Sequence, residues 1–67
     1  LPKNAHIVVD LVQPSDLPPG TDAEFTVQTE SKQIEATLRC TSARAAHDCF
    51  GTMLQAIRLI QQPGAAR

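Results

Sequence analysis

Two segments of strict alternation, joined by only two residues, constrain this chain more than any other feature. Glu24 to Glu30 (EFTVQTE) sets Phe25, Val27 and Thr29 against Glu24, Thr26, Gln28 and Glu30. Gln33 to Cys40 (QIEATLRC) sets Ile34, Ala36, Leu38 and Cys40 against Gln33, Glu35, Thr37 and Arg39. A period of two places each set on one side of a pleated strand. With Ser31-Lys32 as the only link, the two segments predict an antiparallel hairpin. One face of it is polar throughout and meets water or a polar partner. The other needs a cover.

The cover follows at once. Thr41 or Ser42 can cap a helix running to about Gln62, ended by Pro63-Gly64. At roughly 100° per residue, Ala43, Ala46, Phe50, Met53, Leu54, Ile57 and Ile60 share one stripe, which packs on the apolar face of the sheet. Arg44, Asp48, Gly51, Gln55, Arg58 and Gln62 lie opposite and are solvated. A flank of nearly all small residues (Ala45, Cys49, Thr52, Ala56, Leu59) runs beside the stripe. It reads either as an alanine-rich helix edge or as a surface where a second helix approaches closely, anchored by Leu59. Gly51, in mid-helix, costs roughly 1 kcal/mol relative to Ala. A packing requirement and a tolerated imperfection both account for it.

Upstream, Ala5 to Gln13 is the first strand. Ile7, Val9 and Leu11 fall on one face; His6, Val8, Asp10 and Val12 fall on the other. Apolar residues on both faces predict partial cover on both sides. Pro14 stops the strand, and PSDLPPGTDA forms a loop. The expected fold is α+β: a small three-stranded antiparallel sheet (β-β-β-α) covered on one face by the C-terminal helix. It is a single domain over residues 1–67. LPKN and PGAAR read as frayed ends.

Size then limits function. A chain of 67 residues buries only roughly 60% of the surface its unfolded form exposes. With no Trp, no Tyr and two Phe, the core is marginal, and a partner chain or a self-dimer is the natural supplement. The net charge is −1, and Lys3, Lys32, Arg39, Arg44, Arg58 and Arg67 are scattered. Tight nucleic-acid binding by the isolated chain needs a basic stripe, so it is disfavoured. No apolar run approaches the roughly 20 residues of a membrane helix, and no signal-peptide pattern is seen. The expected compartment is the cytoplasm, with the nucleus as the alternative.

The chemistry-bearing residues form no recognisable constellation. Cys40 and Cys49 read as small buried hydrophobes with reduced thiols, one disulfide being the alternative. His6, Cys40, His47 and Cys49 lack metal-ligand spacing, and His47 and Cys49 two residues apart point to different sides of a helix. The same geometry argues against a thiol–imidazole nucleophile pair. Asp10, Asp16, Asp22, Glu24, Glu30 and Glu35 show no acid/base pairing, and Gly20, Gly51 and Gly64 lie too far apart for a phosphate loop. The reading is a binding or assembly module rather than an enzyme, with no cofactor and no metal. A generic interaction domain using its sheet edge, or a β-β-β-α RNA-binding module, are the alternatives.

The stretch TLRCTSARAAHDCFGTMLQAIRLI resembles the last strand and final helix of the Pcc family, the small dimerisation subunit of the KEOPS (or EKC) complex. That pattern has an Arg near the helix start and a basic residue three later. A small residue, a small polar one, a bulky apolar one, Leu and an aliphatic tail follow. Here those positions read Arg44, His47, Cys49, Thr52, Met53 and Leu54, then Ile57, Leu59 and Ile60. The likeness covers about a third of the chain. Two departures stand out: His47 replaces a second Arg, and the Pro-rich loop replaces a helix after the first strand. With that helix missing, the chain also resembles the accessory subunit that mimics the family by hairpin and helix.

The resemblance implies a non-catalytic subunit. It would self-dimerise, or pair with the mimicking subunit, through its sheet. It would dock its helix on the ATP-dependent catalytic subunit that installs threonylcarbamoyladenosine on tRNA, and meet tRNA only indirectly. Arg44, His47, Thr52, Met53 and Leu54 would lie on or near that contact, joined by Ala56 and Leu59 from the small-residue flank.

Overall fold

The computed structural model describes residues 3–62. Its elements are β1 (Ala5–Leu11), a single 3-10 turn (Pro14–Asp16), β2 (Ala23–Glu30), β3 (Gln33–Cys40) and α1 (Ala43–Gln61). The fold is α+β, a three-stranded sheet followed by a C-terminal helix.

The hairpin forms as the alternation dictates, with Glu24 opposite Arg39, Phe25 opposite Leu38 and Glu30 opposite Gln33. Its link puts Ser31 at φ 52° and Lys32 at φ 67°. Both central residues are left-handed, as a tight two-residue turn between right-twisted strands requires. Neither is Gly, so the turn carries backbone strain.

The sheet is mixed rather than wholly antiparallel, which corrects one detail of the expectation. Strand order is β1-β3-β2, and β1 runs parallel to β3 with Ala5 beside Ile34 and Leu11 beside Cys40. The reason lies in the Pro-rich segment. It leaves β1 at the end where β3 also finishes, steps across that end and enters β2, so β3 occupies the middle. The crossing is fastened on both sides, by Val12 N–H to the Cys40 carbonyl at 2.8 Å and Thr41 N–H to the Asp22 carbonyl at 3.0 Å. Arg39 Nη2 also reaches the Asp16 carbonyl at 3.4 Å. Leu17, in this loop, is buried.

The core is the apolar row of β3 under the helix. Ile34, Ala36, Leu38, Met53 and Ile57 form its buried cluster, edged by Ala5, Ile7, Ala23, Phe25, Val27, Ala46, Cys49, Phe50 and Leu54. Ser42 caps α1, its Oγ accepting from Ala45 N–H at 3.1 Å. The buried arc of the helix is wider than the expected stripe and turned toward Ala45, which is buried. Ala43 and Ile60 are exposed instead. Lys3 and Asn4 are not frayed: the Asn4 carbonyl accepts from Ile34 N–H at 2.8 Å, and the Lys3 carbonyl accepts from Gln61 Nε2. Leu1, Pro2 and the PGAAR end lie outside the described residues.

Candidate functional site: an uncovered strand edge and the helix beside it

A helix placed over two strands cannot cover a third. Helix α1 packs on β2 and β3, and β1, one of the two outer strands, is left largely bare. Ile7, Val9 and Leu11 lie in register with Ala36, Leu38 and Cys40, so they share the helix-side face of the sheet. Ile7 is half-buried, but Val9 is 49% exposed and Leu11 73% exposed. Val8, on the opposite face, is 37% exposed.

The edge of α1 that faces β1 is identified by Gln61, which donates to the Lys3 carbonyl just ahead of that strand. Leu54 and Phe50, seven and eleven residues earlier, lie on the same edge. Both are half-buried at the margin of the core. A shallow, mostly apolar depression opens at the start of this edge, lined by Ala43, Ala46, His47, Phe50 and Gly51. The apolar residues of β1 and this depression therefore border the same side of the molecule.

The residues expected to meet a partner do not gather on one face. Arg44 and His47 are almost fully exposed and sit beside Asp48, at 3.9 Å and 3.7 Å. With Leu54 they lie toward the β1 side of α1. Thr52, Ala56 and Leu59 fall on the opposite flank. Leu59 is 63% exposed and Thr52 is exposed, whereas Ala56 is half-buried. A second depression, lined by Gln55, Arg58, Leu59 and Gln62, adjoins Leu59.

Met53 is a correction. It is fully buried within the core cluster, so it supports the sheet from inside and offers nothing to a partner. Ala45 and Cys49 are likewise core margin rather than spare surface, because the buried arc of the helix extends to them. Gly51 shows no packing requirement: a Cβ built there meets nothing within 4 Å.

The polar face of the sheet carries His6, Asp10, Glu24, Glu30, Glu35 and Arg39. Arg39 Nη1 bonds Glu24 Oε2 at 2.6 Å, and His6 Nδ1 lies 3.1 Å from Glu35 Oε1. Four carboxylates against one guanidinium and one imidazole give this face no attraction for a phosphate backbone. Both thiols are free, Cys40 buried and Cys49 half-buried. Burial pushes the Cys49 thiol upward from its ordinary value, reinforced by the charges of Asp22 and Cys40. Among the described residues no three His, Cys, Asp or Glu side chains come together as a metal site, and no helix is long and apolar enough to cross a membrane.

Compared with protein-family models, curated proteins and solved structures, this chain matches none.

The exposed apolar row on β1 is the feature that sequence reasoning missed. Its signal was present in Ile7-Val8-Val9, which is apolar on both faces, but which strand the helix would leave uncovered depended on the strand order.

Proposed function

We propose that this chain is a non-catalytic assembly subunit that binds other protein surface through the β1 edge and both exposed flanks of α1. The observation that carries the reading is Val9 and Leu11, which lie on the helix-side face of the sheet and which the helix does not reach. Isolated exposed aliphatics are ordinary. A row of them along an open strand edge is a template for pairing with another chain. A buried cluster of only three β3 side chains and two from α1 gives a domain of this size a further reason to seek such cover.

The finer reading follows the helix pattern. The protein serves in the complex that makes threonylcarbamoyladenosine on tRNA, where Arg44, His47, Leu54 and Leu59 bear on the catalytic subunit. It works in the cytoplasm, and tRNA is met only through its partners. The acidic polar face supports that indirect role over direct RNA binding.

The test is reconstitution of the full chain with that ATP-dependent catalytic subunit. A stable complex that Leu11→Lys or Leu59→Asp disrupts is the expected result. A chain that does not bind the subunit overturns the finer reading. A complex that neither variant weakens overturns the assignment of these surfaces.

A further inference from the structure

We infer that the chain binds a small organic anion, a carboxylate or phosphate group carrying a short aliphatic body, in a recess at the turn end of the sheet. Lys3 and Asn4 ahead of β1, the hairpin turn around Lys32, and the last turn of α1 meet there. The recess holds about 550 Å³, a size that suits a small-molecule site. Hydrogen bonds fasten the meeting: the Asn4 carbonyl accepts from Ile34 N–H at 2.8 Å, and the Lys3 carbonyl accepts from Gln61 Nε2. None of the residues that carry the assembly reading lines this recess, so the inference does not rest on that reading.

The lining is of two kinds. Ile34, which is buried, and Ile60, which is exposed, supply the apolar part. The Thr29 hydroxyl, the Asn4 amide and the ammonium groups of Lys3 and Lys32 stand around them. Every charged group in the lining is a cation, although the chain has seven acidic residues and a net charge of −1. Arg39 and Arg44 each lie beside a carboxylate. Among the described residues Lys3 and Lys32 do not. Two ammonium groups sharing one recess repel each other, and an anion between them replaces repulsion by attraction. The end of α1 contributes the equivalent of about half a negative charge, which two full positive charges outweigh. A charged head on the lysines and an aliphatic body on Ile34 and Ile60 use both kinds of wall.

The backbone gives an independent line of argument. Asn4, Ser31 and Lys32 are the non-glycine residues with positive φ among the described residues. Asn4 and Lys32 line the recess, and Ser31 precedes Lys32 in the turn. Asparagine tolerates the left-handed region, but lysine is strained there and glycine fits better. Strained positions that persist gather at ligand sites. The turn has no use for the Lys32 side chain, and the recess does.

The test is titration of the full chain with hexanoate and hexyl phosphate at constant ionic strength, followed by amide chemical shifts. Acetate, which lacks the body, and hexanamide, which lacks the charge, are the comparison probes. A dissociation constant on the order of 1 mM is expected for hexanoate or hexyl phosphate, with shifts centred on Asn4, Lys32 and Gln61. Acetate and hexanamide are expected to bind about tenfold more weakly. Lys3→Gln and Lys32→Gln are each expected to weaken binding about threefold to tenfold. The double variant is expected to abolish it while remaining folded by circular dichroism. Lys32→Arg, which keeps the charge, is expected to bind as the wild type does. Tighter binding of either head group supports the site and identifies the anion as carboxylate or phosphate ester. Hexanamide binding as well as hexanoate overturns the cationic site, and acetate binding as well as hexanoate overturns the apolar body. Shifts centred elsewhere, or binding unchanged in the double variant, overturn the location. Each of these results leaves reconstitution with a protein partner as a separate test.

Discussion

Arg39 and Glu24 face each other across the β2–β3 ladder, guanidinium to carboxylate at 2.6 Å. The same guanidinium extends to the Asp16 carbonyl, so one side chain ties the hairpin to the loop that crosses its end. The pair is about one-third exposed, which keeps its contribution modest. Arg39→Ala is expected to destabilise by about 1 kcal/mol, and raised salt is expected to shrink the difference. Chemical denaturation at low and high ionic strength measures both.

The hairpin turn is a place where the chain can be improved. Ser31 and Lys32 hold positive φ, a conformation that costs an L residue about 1–2 kcal/mol. Replacing the pair with Asn-Gly is expected to raise stability by about 1 kcal/mol. An unchanged or lower melting temperature contradicts the turn geometry.

Gly51 offers a second improvement by a different route. It is exposed in mid-helix with open space around its missing Cβ. Gly51→Ala is expected to stabilise by about 1 kcal/mol. If binding to a partner is lost while stability rises, that position lies under the partner.

Helical phase is tested by comparing three substitutions. Met53→Ala empties the centre of the core and is expected to cost about 2–5 kcal/mol, enough to unfold a domain this small. Phe50→Ala is expected to cost less, because Phe50 is only half-buried. Leu59→Asp is expected to change stability by less than about 0.5 kcal/mol while impairing association. Thermal melts that rank Leu59 with Met53 refute the placement of α1.

Cys49 gives a pH-dependent readout. Its raised thiol pKa leaves stability intact below the unfolded value near 9.0. As pH rises past that value the unfolded chain ionises first, so native stability declines. Alkylation of Cys49 in the folded protein is expected to lag behind that of a free thiol, and Cys49→Ala to flatten the alkaline decline. Equal alkylation rates in native and denatured protein contradict this.

Local structure was legible in the sequence where the period was clean. The hairpin followed from Phe25/Val27 and Ile34/Ala36/Leu38, and the helix start was narrowed to Thr41 or Ser42, of which Ser42 is the cap, because alternation and capping are decided by neighbours a few residues away. The candidate surface was only half legible. Arg44, His47 and Leu59 are exposed, and Met53 is interior, where the helical stripe placed it; only the resemblance set Met53 on the partner contact, because a family pattern records which residues recur and not which of them face the core.

The sequence by itself determined that three strands and a capped helix form, and that β3 has a fully apolar side. Only the tertiary structure decided that β1 lies parallel to β3 on its far edge, which leaves Val9 and Leu11 beyond the reach of α1. The physical reason is that one helix spans about two strand spacings. Which strand goes uncovered is set by where the Pro14–Asp22 crossing returns the chain, and no local preference encodes that.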